Sequence, residues 1–231
     1  MQRICESPMV YYHGTFCFSA IDYVMMKGKQ MNPQNTQISY FVKIAILSAI
    51  AFVMMLFEVP LPFIAPSFYE LDFSEVPALI GGFALGPLAG IVIEAIKILL
   101  NFILNGSITG GVGELSNFVL GVAFVLPAAL IYKRNKTKKS AFVGLLVGGL
   151  TMVILGCFSN AFVMIPLYSK MMPLEAIIAQ AAAIWPVIDN TFKFVLLCVA
   201  PFNIVKAILV IAVTMLLYKR LSSILKGKKL Q

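Results

Sequence analysis

The 231-residue chain is 60% hydrophobic, has a mean hydropathy of +0.93 and carries a formal charge of +8, whereas soluble domains run at about 45–50% apolar residues. That composition excludes a soluble globular domain and leaves an integral membrane protein. The length holds roughly six spans of about 20 residues in one compact bundle, with no room for a soluble catalytic domain beside it.

Residues 1–38 read as a cytoplasmic N-terminal extension, partly disordered or started too early. They mix Pro8, His13, Asp22 and Lys27 with short apolar pieces, and Met25, Met26 and Met31 each offer a later start. His13 has no second ligand near it, so no metal site is expected. Cys5, Cys17, Cys157 and Cys198 form no CxxC pair and read as small hydrophobes. Residues 39–220 read as the transmembrane domain and 221–231 as a basic cytoplasmic tail.

Ser39 to Phe57 is apolar for one membrane thickness and forms the first expected span. The following loop, 58–72, holds Pro60, Pro62 and Pro66 and cannot be helix interior, because each proline removes a backbone donor. It also carries Leu61, Phe63, Ile64, Phe68, Tyr69 and Leu71. Such an apolar load suits either a lid over an aromatic ligand or a loop resting on the bilayer interface. Phe73 to Leu85 is expected as a short second span, with Gly82, Gly86 and Gly90 allowing close helix approach and a reversal at Gly86-Pro87. Pro87 to Leu104 and Glu114 to Tyr132 make spans three and four, separated by the glycine-rich turn NGSITGGVG. Ala141 to Tyr168 is span five; Met172 to Ile184 reads as a short helix broken at Trp185-Pro186. Pro201 is expected to begin the last span, which ends at Tyr218.

Charge sets the orientation. With both termini cytoplasmic, the inner segments hold Arg3, Lys27, Lys29, Lys43, the run Lys133, Arg134, Lys136, Lys138 and Lys139, and Lys219, Arg220, Lys226, Lys228 and Lys229. The outer segments hold most of the acids, among them Glu58, Glu70, Asp72, Glu75 and Glu114. This is the asymmetry of the positive-inside rule, so the charge reports topology and contact with anionic lipid, and no nucleic acid is needed. The proline-rich loop, the glycine-rich turn and Trp185 then share the outer side.

An ionisable group inside a span costs about 2.5–3.5 kcal/mol on insertion scales and needs a reason. Glu94 and Lys97 lie one turn apart with Asn101 on the same face, and read as a self-neutralising ion pair or, in a proton-driven permease, as a proton carrier. Asn160 reads as interhelical glue or as a ligand contact. In Pro201-Phe202-Asn203-Ile204-Val205-Lys206, a helix begun by proline puts Asn203 and Lys206 on one face of its first turns. A cation there opposes the helix dipole, so Lys206 either meets a ligand acceptor or snorkels to the interface. There is no GxxxxGK[ST], HExxH or GxSxG, so neither ATP hydrolysis nor a hydrolytic reaction can be placed on these residues.

The segments LDFSEVPALIGGFALGPLAG, EAIKILLNFILNGSITGGVGELSNF, SNAFVMIPLY and PFNIVKAILV, in that order from about Ser39 to Arg220, resemble the riboflavin-specific substrate-binding (S) component of energy-coupling factor (ECF) vitamin transporters. The resemblance implies an all-α integral membrane protein: a compact bundle of six transmembrane helices in the bacterial plasma membrane. It would hold riboflavin as transported ligand in an outward-facing pocket beneath the first loop, with no catalytic cofactor. It implies flavin contacts at Asn203, Lys206 and Asn160, with Phe63, Phe68, Tyr69 and Leu71 of the loop as apolar wall. A second tier is Glu94, Lys97, Glu114 and Asn117. Implied partners are an ECF transmembrane coupling subunit, docking on Ala45 and Ala49 of AILSA, and two ATPase subunits. The alternatives are a proton-coupled permease, an S component for another vitamin, and a membrane enzyme acting on lipid, which the missing catalytic set disfavours.

Overall fold

The computed structural model describes residues 33–66, 69–107, 110–170 and 173–225. The chain divides at Phe41/Val42 into a small N-terminal unit and a main unit. Of the former, Pro33 to Phe41 is described, the opening turns of α1 (Pro33–Met55), with Tyr40 and Phe41 edge to face at 5.7 Å. Most of the expected N-terminal extension and the basic tail lie outside the described residues. The helix begins ahead of Ser39, the expected boundary.

Among the described residues the main unit is built of helices and connecting loops with one antiparallel pairing, β1 (Val59–Pro60) with β2 (Glu70–Leu71), which closes the proline-rich loop at its root. Then follow α2 (Glu75–Leu85), α3 (Pro87–Leu104), α4 (Val112–Arg134), α5 (Lys138–Ser159), α6 (Ile165–Tyr168), α7 (Leu174–Ala182), α8 (Thr191–Phe194) and α9 (Ala200–Leu225). Asn160–Met164 joins α5 to α6 and Val195–Val199 joins α8 to α9, each as a wide π-helical turn, so two long continuous helices result.

Among the described residues five helices are long and apolar enough to cross a membrane, within Gln37–Met55, Pro87–Leu104, Val112–Arg134, Lys138–Tyr168 and Thr191–Tyr218. The short second span expected over Phe73 to Leu85 corresponds to α2, which stands apart from these five. At 11 residues, α2 falls short of the roughly 20 that a 30 Å hydrocarbon core requires. Proline is not the cause, since Pro77 sits in the first turn, where a missing N–H costs little. Gly86, at φ 108°, makes the reversal into α3 that an L side chain would resist. Beyond it α2 and α3 close against each other at Gly90, where an added Cβ would lie 3.1 Å from the Ala78 carbonyl oxygen and 3.2 Å from Gly82 Cα.

Both wide turns have a local cause. Pro166 and Pro201 lack the N–H that would bond the carbonyls of Phe162 and Leu197, and each ring crowds that carbonyl. The ladder relaxes to i→i+5 spacing just ahead of each proline. Pro201 thus does not begin the last helix, as the sequence suggested. The helix starts at Thr191, capped by the Asn190 side chain accepting from Lys193 N at 2.9 Å.

The proline-rich loop is packed down. Its Ala65 and Leu71 are buried in one apolar core with Ile165, Ile177, Ile188, Phe194 and Phe202. A loop merely resting on the bilayer would not share a core with four helices. Phe63 points away and is 66% exposed.

Candidate functional site

The site sits between the loop root and the two π turns. Tyr69 leads β2 and lays its ring against Phe194 and Phe202, with centroids 6.2 and 5.5 Å away. Its hydroxyl donates to Asn160 Oδ1 at 2.5 Å. Asn160 opens the first π turn and donates to Gly156 O at 2.8 Å, so its amide spans helix and loop. Across the cleft Asn203 donates to Val199 O, at the end of the second π turn, at 2.9 Å. Among the described residues the Asn203 carbonyl oxygen has no partner and is left for the cleft. Lys206, one turn further along α9, completes that wall.

Together with Glu70, Ser116, Asn117, Leu120, Met164, Tyr168 and Phe202, these side chains line an open cleft. Its clear interior is about 130 Å³ and reaches about 650 Å³ with the mouth included. Ligand pockets for drug-sized molecules run from about 300 to 1,000 Å³. The clear interior, with Tyr69 seated in it, is below that range.

Lys206 is neither at a helix start nor snorkelling. Its buried ammonium contacts Asp72 Oδ2 and Glu75 Oε1, both at 3.0 Å. The offset to its charge comes from carboxylates at the loop root and in the first turn of α2, where the sequence reading had invoked a ligand. Asp72 Oδ1 also accepts from Ser74 N at 2.6 Å. Burial would raise the Asp72 carboxyl, but Lys206, then Lys97 and Ser74, outweigh it and hold it at about 2. Lys97 continues the network inward: Nζ lies 2.6 Å from Glu94 Oε2 and 3.9 Å from Glu75 Oε1, and donates to Ser74 Oγ at 2.9 Å. Glu94 packs against Gly121 of α4, where an added Cβ would meet its carboxylate at 2.5 Å.

The structure thus brings Asn203, Lys206, Asn160, Tyr69 and Asn117 to one cleft. Others lie elsewhere. Leu71 is in the core beneath the loop, Phe63 faces outward, and Phe68 is outside the described residues. Glu94 and Lys97 sit behind the cleft, as the inner end of the ion network. Glu114 accepts from Ser107 at 2.9 Å and borders a separate apolar groove between α3 and α4. Ala45 and Ala49 are exposed on α1, while Ser48 and Ala51 turn inward.

Residues 39–218 match the family model for the substrate-specific component of ECF transporters. The chain belongs to this family. It is 37% identical over 186 residues to the riboflavin transporter RibU of Staphylococcus aureus strain TCH60, covering 80% of this chain and 91% of that protein. It is 35% identical over 187 residues to the riboflavin transporter FmnP of Bacillus subtilis strain 168, covering 80% and 93%. A solved structure described as the S component of a bacterial ECF transporter superposes with a TM-score of 0.64 at 36% identity, covering 82% of this S component and 99% of that chain.

Sequence reading missed Asp72 and Glu75 as site residues and counted them only as outer acids. Both are 1% exposed. Their signal was present, because LDFSEVP sets two acids beside an apolar helix start, where burial demands a counter-charge. Ser116 and Tyr168 had no such signal.

Proposed function

We propose that this chain captures riboflavin at the outer face of the bacterial cell membrane and delivers it as the S component of an ECF transporter. The observation that carries the reading is the cleft itself: amides of Asn117, Asn160 and Asn203 and the Lys206 ammonium converge beneath an aromatic-bearing loop. A flavin offers a flat apolar ring with polar edges and a polyol tail, which such a mixture of aromatic wall and convergent donors suits. The names of the relatives support the same ligand. Asn203, Lys206 and Asn160 are the polar contacts, Asn117 a second-tier contact, and Tyr69 the ring that closes over the bound vitamin. With Tyr69 seated, the interior is too small for the ring system, so the loop swings out on entry and returns with Tyr69 resting on the bound vitamin and no longer in the interior it fills here.

The six-helix count takes α2 as a short sixth helix, and both termini are cytoplasmic by the distribution of basic residues. Energy comes from a coupling subunit in the membrane and two ATPase subunits. The coupling subunit docks on the outward-facing Ala45 and Ala49, where small residues let a foreign helix approach. Membership in a transport family leaves the lipid-modifying enzyme without support. Glu94, fully buried behind the cleft and paired with Lys97, is accounted for as a structural counter-charge, without the proton-carrier role of a permease.

The test is the ligand that co-purifies. Protein made in riboflavin-containing medium should be yellow and fluorescent, releasing one riboflavin per chain on denaturation. Colourless protein that takes up no riboflavin on soaking overturns the reading.

A further inference from the structure

The ammonium of a lysine carries three N–H donors. In Lys206 two face carboxylates, Asp72 Oδ2 and Glu75 Oε1, each at 3.0 Å, which leaves one for the cleft it lines. Both carboxylates are held in turn. Asp72 accepts from Ser74 N, and Glu75 Oε1 lies between the two lysines, Lys97 being fixed by Glu94 and Ser74 Oγ. The two carboxylates thus hold the ammonium at the cleft wall, with a donor still uncommitted. Asp72 also sits next to β2, the strand that roots the proline-rich loop.

We propose that Asp72 and Glu75 are positioning residues for ligand recognition: they aim the free N–H of Lys206 into the cleft and tie the closed loop to that same contact. The proposal rests on the riboflavin reading and deepens it. Loop closure and the polar contact become one event, because moving the loop root pulls one of the two carboxylates off Lys206. A network serving only to neutralise buried charge would make no such link. Without the Asp72 carboxylate the ammonium turns towards Glu75, and its uncommitted donor no longer points at the ligand.

A double-mutant cycle on the full chain in detergent, read by riboflavin affinity and dissociation rate, separates the two roles. Asp72→Asn should weaken riboflavin binding about tenfold or more, chiefly through faster dissociation. In a Lys206→Met background the same change should add less than about twofold, and Asp72→Glu should recover part of the affinity. Should Asp72→Asn fail to fold, Glu75→Gln cycled against Lys206→Met gives the same test. Equal losses with and without Lys206, or Asp72→Asn at wild-type affinity, overturn the positioning role while leaving riboflavin as ligand. A wild-type chain that binds no riboflavin overturns both.

Discussion

Two lysines and three carboxylates share one buried network, and a charge there is tolerable only while its partners remain. Removing one partner of a buried pair costs about 3–5 kcal/mol because the other charge is stranded. Lys97→Met should therefore destabilise the protein by about that much in detergent denaturation. Lys97→Met with Glu94→Gln should recover part of the loss, which the same unfolding curves read out. At Gly121 the margin is steric: Gly121→Ala drives a methyl into the Glu94 carboxylate and should cost about 1–3 kcal/mol in those curves. Asp72, held at about 2 against an ordinary 3.8, contributes stability that is present above its ordinary value and lost as pH falls through about 2. Riboflavin affinity should thus show no Asp72-dependent step between pH 5 and pH 8. Sequence periodicity was enough to place Asn203 and Lys206 on one wall, since i and i+3 share a helix face whatever begins the helix. What it could not show was the partner of Lys206, because the Asp72 contact closes a loop of 134 residues.

Among the elements, the spans that read cleanly were those whose apolar runs end in unambiguous breakers. Pro87 to Leu104 fell as expected between Gly86 and Asn105. Pro201 misled because a proline in the interior of a membrane helix is tolerated when a neighbouring turn widens, and no residue pattern distinguishes that from a helix start. The loop root carries its own titration. In the β1–β2 pairing Pro60 faces Glu70 and Val59 faces Leu71, which carries Glu58 towards Asp72 at the end of the hairpin. Burial, then a hydrogen bond that the protonated Glu58 donates to Glu70 and the Asp72 charge, push Glu58 up to about 8, against an opposing pull from Lys206. A carboxyl raised in the folded state makes folding less favourable as pH climbs from its ordinary 4.5 through about 8. Amide exchange in 58–71, corrected for intrinsic rates, should rise between pH 6 and 9, and Glu58→Gln should flatten that rise. An equal rise in Glu58→Gln would remove Glu58 as its cause.

For the molecule as a whole, the membrane class followed from composition, and the cleft is lined from the proline-rich loop and the start of α4, which the charge asymmetry had grouped together. The shortness of α2 was legible in Phe73 to Leu85; whether it crosses was less so, because an apolar run with glycines looks alike whether it spans the bilayer or stops inside the protein. The outward turn of Ala45 and Ala49 on α1, the helix that exposes Ile46, Ile50 and Val53 beside them, gives the docking proposal its surface. Ala45→Trp with Ala49→Trp should keep riboflavin affinity while losing co-purification with the coupling subunit and uptake in cells. Loss of affinity and yield together would assign the strip to internal packing. The central claim, that the Asn160–Asn203–Lys206 cleft is where riboflavin is held, is tested most directly by titrating the purified chain with riboflavin and following flavin fluorescence. Saturation at one riboflavin per chain is predicted, with Asn203→Ala and Lys206→Met each weakening affinity by about tenfold or more through loss of a buried hydrogen bond. Wild-type affinity in both variants, or no saturable binding in the unmodified protein, would contradict it.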